Sequence, residues 1–146
     1  MNKRYASIES LLPLIEETLQ DGRDFLLPVK GTSMWPFIKE GDLVRLQTPS
    51  AFKKGHIYLF RSRQRLFLHR LVARKSGTLI LQGDANRQKE RALPQDVVGE
   101  VKQLETTRGK ELNPYSVHRK VLYVYWRMTG PLRPRIRHWC QRRGRK

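Results

Sequence analysis

Residues 56–83 read HIYLFRSRQRLFLHRLVARKSGTLILQG. Three runs rich in Val, Ile, Leu and aromatic residues follow one another here: HIYLFRS (56–62), RLFLHRLVAR (65–74) and TLILQG (78–83). Ser76-Gly77 punctuates the last two. Short apolar, β-branched runs bounded by turn formers are the signature of strands. The same texture continues outward through FLLPVK (25–30), DLVRLQT (42–48) and DVVGEVKQLE (96–105). Glu40-Gly41, Lys54-Gly55 and Gly83-Asp84 supply further turns. The expected fold class is therefore mainly β, a mostly antiparallel domain spanning 23–114 and folded as a sandwich or a coiled set of sheets. No internal repeat interrupts it.

Helices are expected on either flank. In residues 6–20, Leu11, Leu12, Leu14, Ile15 and Leu19 recur at helical spacing. Ser7 or Ser10 is the candidate cap, Pro13 falls early enough to be tolerated, and Asp21-Gly22 ends the run. This makes 1–22 an N-terminal helical segment. Residues 106–114 (TTRGKELNP) read as an exposed loop or hairpin tip. Residues 115–128 carry Val117, Val121, Leu122, Val124, Tyr125 and Met128 in a second helical pattern, which Thr129-Gly130-Pro131 breaks. That helix opens a basic C-terminal segment, 115–146.

Charge is concentrated there. The chain of 146 residues carries 30 Lys and Arg against 13 Asp and Glu, a formal net charge of +17. The last acid is Glu111; residues 119–146 then hold ten Lys or Arg and no acid. An excess of this size calls for an anionic partner. An anionic membrane surface reached through residues 119–146, a protein partner and nucleic acid are the candidates. The single cysteine, Cys140, allows no intramolecular disulfide, in keeping with a reducing, cytoplasmic setting with peripheral membrane contact. MNKRYASIES lacks the apolar core of a signal peptide, and no run approaches the ~20 apolar residues a spanning helix needs. Nothing in the sequence asks for a cofactor or a metal.

The chemistry gathers in three places. In GTSMWPFIKEGDLV (31–44), Ser33 follows Gly31, which permits a sharp turn, and precedes Pro36, which stiffens the exit. A serine hydroxyl needs a base within hydrogen-bond reach to act as a nucleophile; alone, it more often caps a turn. His69 lies in an apolar strand, where the imidazole is either structural or a general base. Alternation puts Phe67, His69 and Leu71 on one face and Leu68, Arg70 and Val72 on the other. In LQGDANRQKE (81–90), Asp84 and Glu90 are both candidates for the carboxylate that orients the base. Asp84 is also a natural turn residue that bonds its own backbone.

These residues carry a resemblance. Gly31-x-Ser33-Met34-x-Pro36 followed by Gly41-Asp42 resembles the nucleophile box of type I signal peptidases and LexA-like peptidases. Lys53-Lys54-Gly55-His56-Ile57 is similar to the family's Lys-Lys-Gly-Asp-Ile, with His56 in place of aspartate. His69-Arg70-Leu71-Val72 resembles the base box of the endoplasmic-reticulum type; bacterial relatives carry lysine there. Gly83-Asp84-x-Asn86 resembles the last box, and Val97-Val98-Gly99-Glu100-Val101 the closing strand. The resemblance covers about residues 26–102. It implies a small serine peptidase of coiled β fold with Ser33 as nucleophile, His69 as base and a peptide or leader segment as substrate. It implies a third member six residues after Asp84, at Glu90, while the strand end favours Asp84. The oxyanion donor would be the Ser33 N–H, with Gly31, Thr32, Met34 and Pro36 shaping the loop. Neither the transmembrane helix of signal peptidases nor the DNA-binding domain of LexA-like repressors is expected, so the resemblance is to a small soluble branch of the superfamily. The competing expectation is a catalytically idle binding module of the same fold, whose basic tail binds nucleic acid or a protein partner.

Overall fold

The computed structural model describes residues 7–130; the basic stretch 131–146 and residues 1–6 lie outside it. The chain falls into two compact units that meet between Pro114 and Tyr115.

The first unit opens with a 3-10 turn, Ile8–Leu11, which runs into helix α1, Leu12–Gln20. Ser7 caps the turn by accepting from the Ser10 N–H at 3.3 Å. Pro13 sits in the first turn of α1, where its missing N–H costs no helical bond. Asp21 closes the helix. Ile15 and Leu19 are the buried face. The helix packs tightly on the sheet at Gly99, where a Cβ would lie 3.2 Å from the Leu19 Cδ1.

Eight strands form one antiparallel sheet in the order β1-β2-β7-β3-β4-β5-β6, with β8 paired to β7. They are β1 (Phe25–Pro28), β2 (Leu43–Gln47), β3 (Ile57–Ser62), β4 (Arg65–Lys75), β5 (Thr78–Gln82), β6 (Lys89–Ala92), β7 (Val97–Glu105) and β8 (Glu111–Leu112). The mainly β expectation holds, and all six strand runs read from the sequence are strands. One further strand, β6 (KERA), which pairs with β5, was not foreseen; β8 settles the 106–114 stretch as a hairpin rather than an open loop, closed by Thr106 N–H to Lys110 C=O at 2.9 Å. Tyr58, Phe60, Leu71, Leu79, Leu81 and Ala92 form a buried cluster, against which Phe52, Phe67 and Val97 pack.

β3 and β4 are joined by Arg63 and Gln64, both at positive φ (51° and 63°). Two positive φ values in a row match the right-handed twist of the flanking strands, but this geometry favours Asn-Gly rather than long side chains.

The second unit contains helix α2, Val117–Met128. Ser116 caps it by accepting from the Arg119 N–H. Val117, Val121, Leu122, Val124, Tyr125 and Met128 are all exposed. No helix among the described residues is long and apolar enough to cross a membrane.

Candidate active site

The loop that carries Ser33 connects β1 to β2. Its neck is closed by Val29 N–H to Asp42 C=O (2.8 Å) and Gly41 N–H to Val29 C=O (2.9 Å). Asp42 is buried and serves as the loop's anchor. Its carboxylate accepts from the Lys39 N–H at 2.8 Å and from the Thr107 N–H, in the β7–β8 hairpin, at 3.2 Å. Inside the neck, Trp35 N–H donates to Thr32 C=O, and Phe37 and Ile38 N–H donate to Met34 C=O. Met34, Phe37 and Ile38 are buried, so the residues after Ser33 are pinned by apolar side chains. Ser33 itself is half-buried, and among the described residues neither its hydroxyl nor its N–H is taken up by a hydrogen bond.

Ser33 and His69 line one cleft of about 280 Å³. Leu27, Val29 and Lys30 form one wall, Leu66 to His69 of β4 the other, and Ile8, Asn86 and Glu90 also border it. His69 is 3% exposed. Its ring lies 5.6 Å from those of both Phe60 and Phe67. That apolar surround disfavours the charged imidazolium and pushes the pKa down from the usual histidine value to about 4. His69 is therefore neutral at pH 7, as a base must be. Its Nδ1 is buried without a hydrogen-bond partner among the described residues.

That orphaned nitrogen corrects the expected third member. Asp84 does not serve the imidazole. Its Oδ1 accepts from Arg70 Nε at 2.9 Å and its Oδ2 from Arg70 Nη2 at 2.7 Å. The reason is strand alternation: His69 turns to the cleft, so Arg70 turns away from it and meets the Gly83-Asp84 turn. Glu90, on β6, borders the cleft but makes no hydrogen bond to the ring among the described residues. Ser33 and His69 are brought to one cleft, and neither carboxylate completes a triad.

Arg70 does what the sequence reading overlooked. Besides Asp84, its Nη1 donates to Gly55 C=O at 2.8 Å, and its guanidinium sits 5.6 Å from the Phe37 ring. One buried cation thus ties together the 53–56 turn, the 83–86 turn and the serine loop. The Gly83-Asp84-Ala85-Asn86 turn is itself a clamp on the serine loop. Ala85 N–H donates to Ser33 C=O at 2.9 Å, and a Cβ on residue 83 would lie 2.6 Å from that same oxygen. The turn is closed by Asn86 N–H to Gly83 C=O, and Gln82 Nε2 donates to the carbonyls of Asn86 and Arg87. His56 Nδ1 lies 2.7 Å from Glu100 Oε1, a buried carboxylate that also has Lys102 Nζ 3.0 Å from its other oxygen. Glu9 is a second overlooked residue. Its Oε1 accepts from the Leu66 N–H at 3.3 Å, at the cleft wall, and nothing in the local pattern announces that contact.

A coiled antiparallel sheet that presents a loop serine and a strand histidine to one cleft defines a serine peptidase-like domain. A family model described as Peptidase S24-like matches residues 2–102, and the chain belongs to that family. Among curated proteins, no sequence matches it significantly.

Proposed function

We propose that the protein is a serine endopeptidase that cleaves a peptide or leader segment through a Ser33–His69 dyad. The observation that carries this is the shared cleft: a loop serine with an unspent hydroxyl and a neutral, desolvated histidine face the same space. The likeness of His69-Arg70 to the endoplasmic-reticulum signal peptidase box supports histidine in the place of the bacterial lysine. With Nδ1 buried, Nε2 is the nitrogen that works.

In this mechanism His69 Nε2 takes the Ser33 hydroxyl proton as Oγ attacks the scissile carbonyl carbon. The carbonyl electrons move onto oxygen, which accepts a hydrogen bond from the Ser33 N–H. Collapse breaks the C–N bond, and the imidazolium returns its proton to the leaving amine. Water, deprotonated by the same nitrogen, then adds to the acyl carbon; the C–Oγ bond breaks, and the imidazolium gives its proton to Ser33 Oγ as the acid product leaves. The substrate lies extended between residues 27–30 and 66–68, whose apolar side chains accept small apolar residues. A single backbone oxyanion donor and a Nδ1–H without an acceptor both predict slow turnover; each missing oxyanion donor is worth ~10²–10³ in rate.

The deciding experiment incubates the full chain with a fluorophosphonate probe and with a panel of precursor peptides read by mass spectrometry, beside Ser33→Ala. Labelling and cleavage that both vanish in Ser33→Ala support the reading. An unlabelled wild-type protein that cuts no peptide makes it a catalytically idle member of the fold.

A further inference from the structure

Helix α2 has an apolar face that the fold leaves in solvent. Val117, Val121, Val124, Tyr125 and Met128 are 77%, 62%, 56%, 67% and 78% exposed. At 3.6 residues per turn these five fall within an arc of about 100°. Lys120 and Arg127 follow along one border of that arc, while Arg119, Tyr123 and Trp126, on the other side of the helix, are partly buried. The two faces of the helix thus differ in exposure, and the apolar one is the more open. We infer that this second face is a docking surface for an anionic lipid bilayer, into which the Val, Tyr and Met side chains insert while the bordering cations meet lipid headgroups.

Charge decides among occupants. Beyond Glu111 the chain carries no acid, and after α2 the sequence adds Arg133, Arg135, Arg137, Arg142, Arg143, Arg145 and Lys146. A second copy of a chain with net charge +17 would bring like charges against like across the stripe. Nucleic acid would engage the cations but gives five exposed apolar side chains nothing to enter. A bilayer with anionic headgroups satisfies both: apolar burial below and opposite charge at the rim. This surface is independent of the serine and histidine, so Ser33→Ala should bind vesicles like the wild type.

The test uses the full chain with vesicles of phosphatidylcholine plus phosphatidylglycerol, and of phosphatidylcholine alone, at low and high salt. Sedimentation with the anionic vesicles at low salt is expected, with little on neutral ones. Val121→Ser/Val124→Ser, on an exposed face and with no change of charge, should keep the wild-type melting transition and bind at least about tenfold more weakly. Equal binding by that variant would show charge acting alone and overturn the inference. So would equal binding to neutral vesicles, a vesicle-free dimer that the variant abolishes, or duplex DNA binding that the variant weakens to the same degree.

Discussion

His69 is where burial and chemistry meet most directly. An imidazole at its ordinary pKa would lose its basicity below about pH 6.5. Held down to about 4 by desolvation, this one stays neutral through mild acid. The acid limb of kcat/KM should therefore fall near pH 4, and Glu90→Gln should leave it there with kcat changed by no more than a few-fold. A pH–rate profile of both proteins checks this; a ~10³-fold loss of kcat in Glu90→Gln would restore a triad. The same shift couples to stability. The unfolded chain takes up this proton near pH 6.5 and the folded one only near 4, so the unfolded state binds more protons between those values. Stability from this group is fully present above pH 6.5 and is lost as pH falls to about 4, by roughly 3 kcal/mol. Denaturant titrations across that window should show the slope, and His69→Phe, which fits the apolar surround, should flatten it. Asp84 belongs to a different ledger. Asp84→Asn leaves the buried Arg70 without its carboxylate, and the cost should appear as about 3–5 kcal/mol of lost stability rather than a selective fall in kcat.

Turns and strands divide into those the sequence announces and those it hides. Six strand runs were legible because apolar residues and turn pairs alternate along them. β6 was not, because KERA has no apolar alternation; pairing with β5 alone makes it a strand. Ser33 and His69 were singled out by the order of the boxes they stand in, since each residue alone also has a plain structural reading as a turn cap or a buried imidazole. The fate of Asp84 was not, because a Gly-Asp turn looks the same whether its carboxylate serves an imidazole or an arginine; only the face to which Arg70 points decides. The glycine before it is explained by its neighbour. Gly83→Ala puts a Cβ 2.6 Å from the Ser33 carbonyl oxygen, so the serine loop must move. A displacement near 1 Å costs on the order of 10²-fold in rate. Gly83→Ala should thus lose much more kcat than melting temperature, as read by matched kinetics and thermal melts. The β3–β4 turn offers the converse. Arg63 and Gln64 hold positive φ without the residues suited to it. Arg63→Asn/Gln64→Gly should add about 1 kcal/mol, seen as a higher denaturant midpoint with unchanged slope.

For the molecule as a whole, a charge of +17 sets the conditions under which it is stable. Self-repulsion among cations weakens as salt shortens the screening length to ~10 Å at 0.1 M. Melting temperature should therefore rise with added salt while binding to anionic vesicles falls. The sheet order carries another consequence. β7 is the strand that hydrogen-bonds to both β2 and β3. Ser33 belongs to the piece before it, with β1 and β2; His69 belongs to the other, with β3 to β6. During synthesis, Ser33 and His69 are thus both made well before the strand that splices their two halves into one sheet. Such non-local pairing is slow to form. A growing chain that has emerged only as far as residue 95 holds both Ser33 and His69 yet lacks the splice, so under the proposed mechanism cleavage has to wait until β7 has joined the two halves.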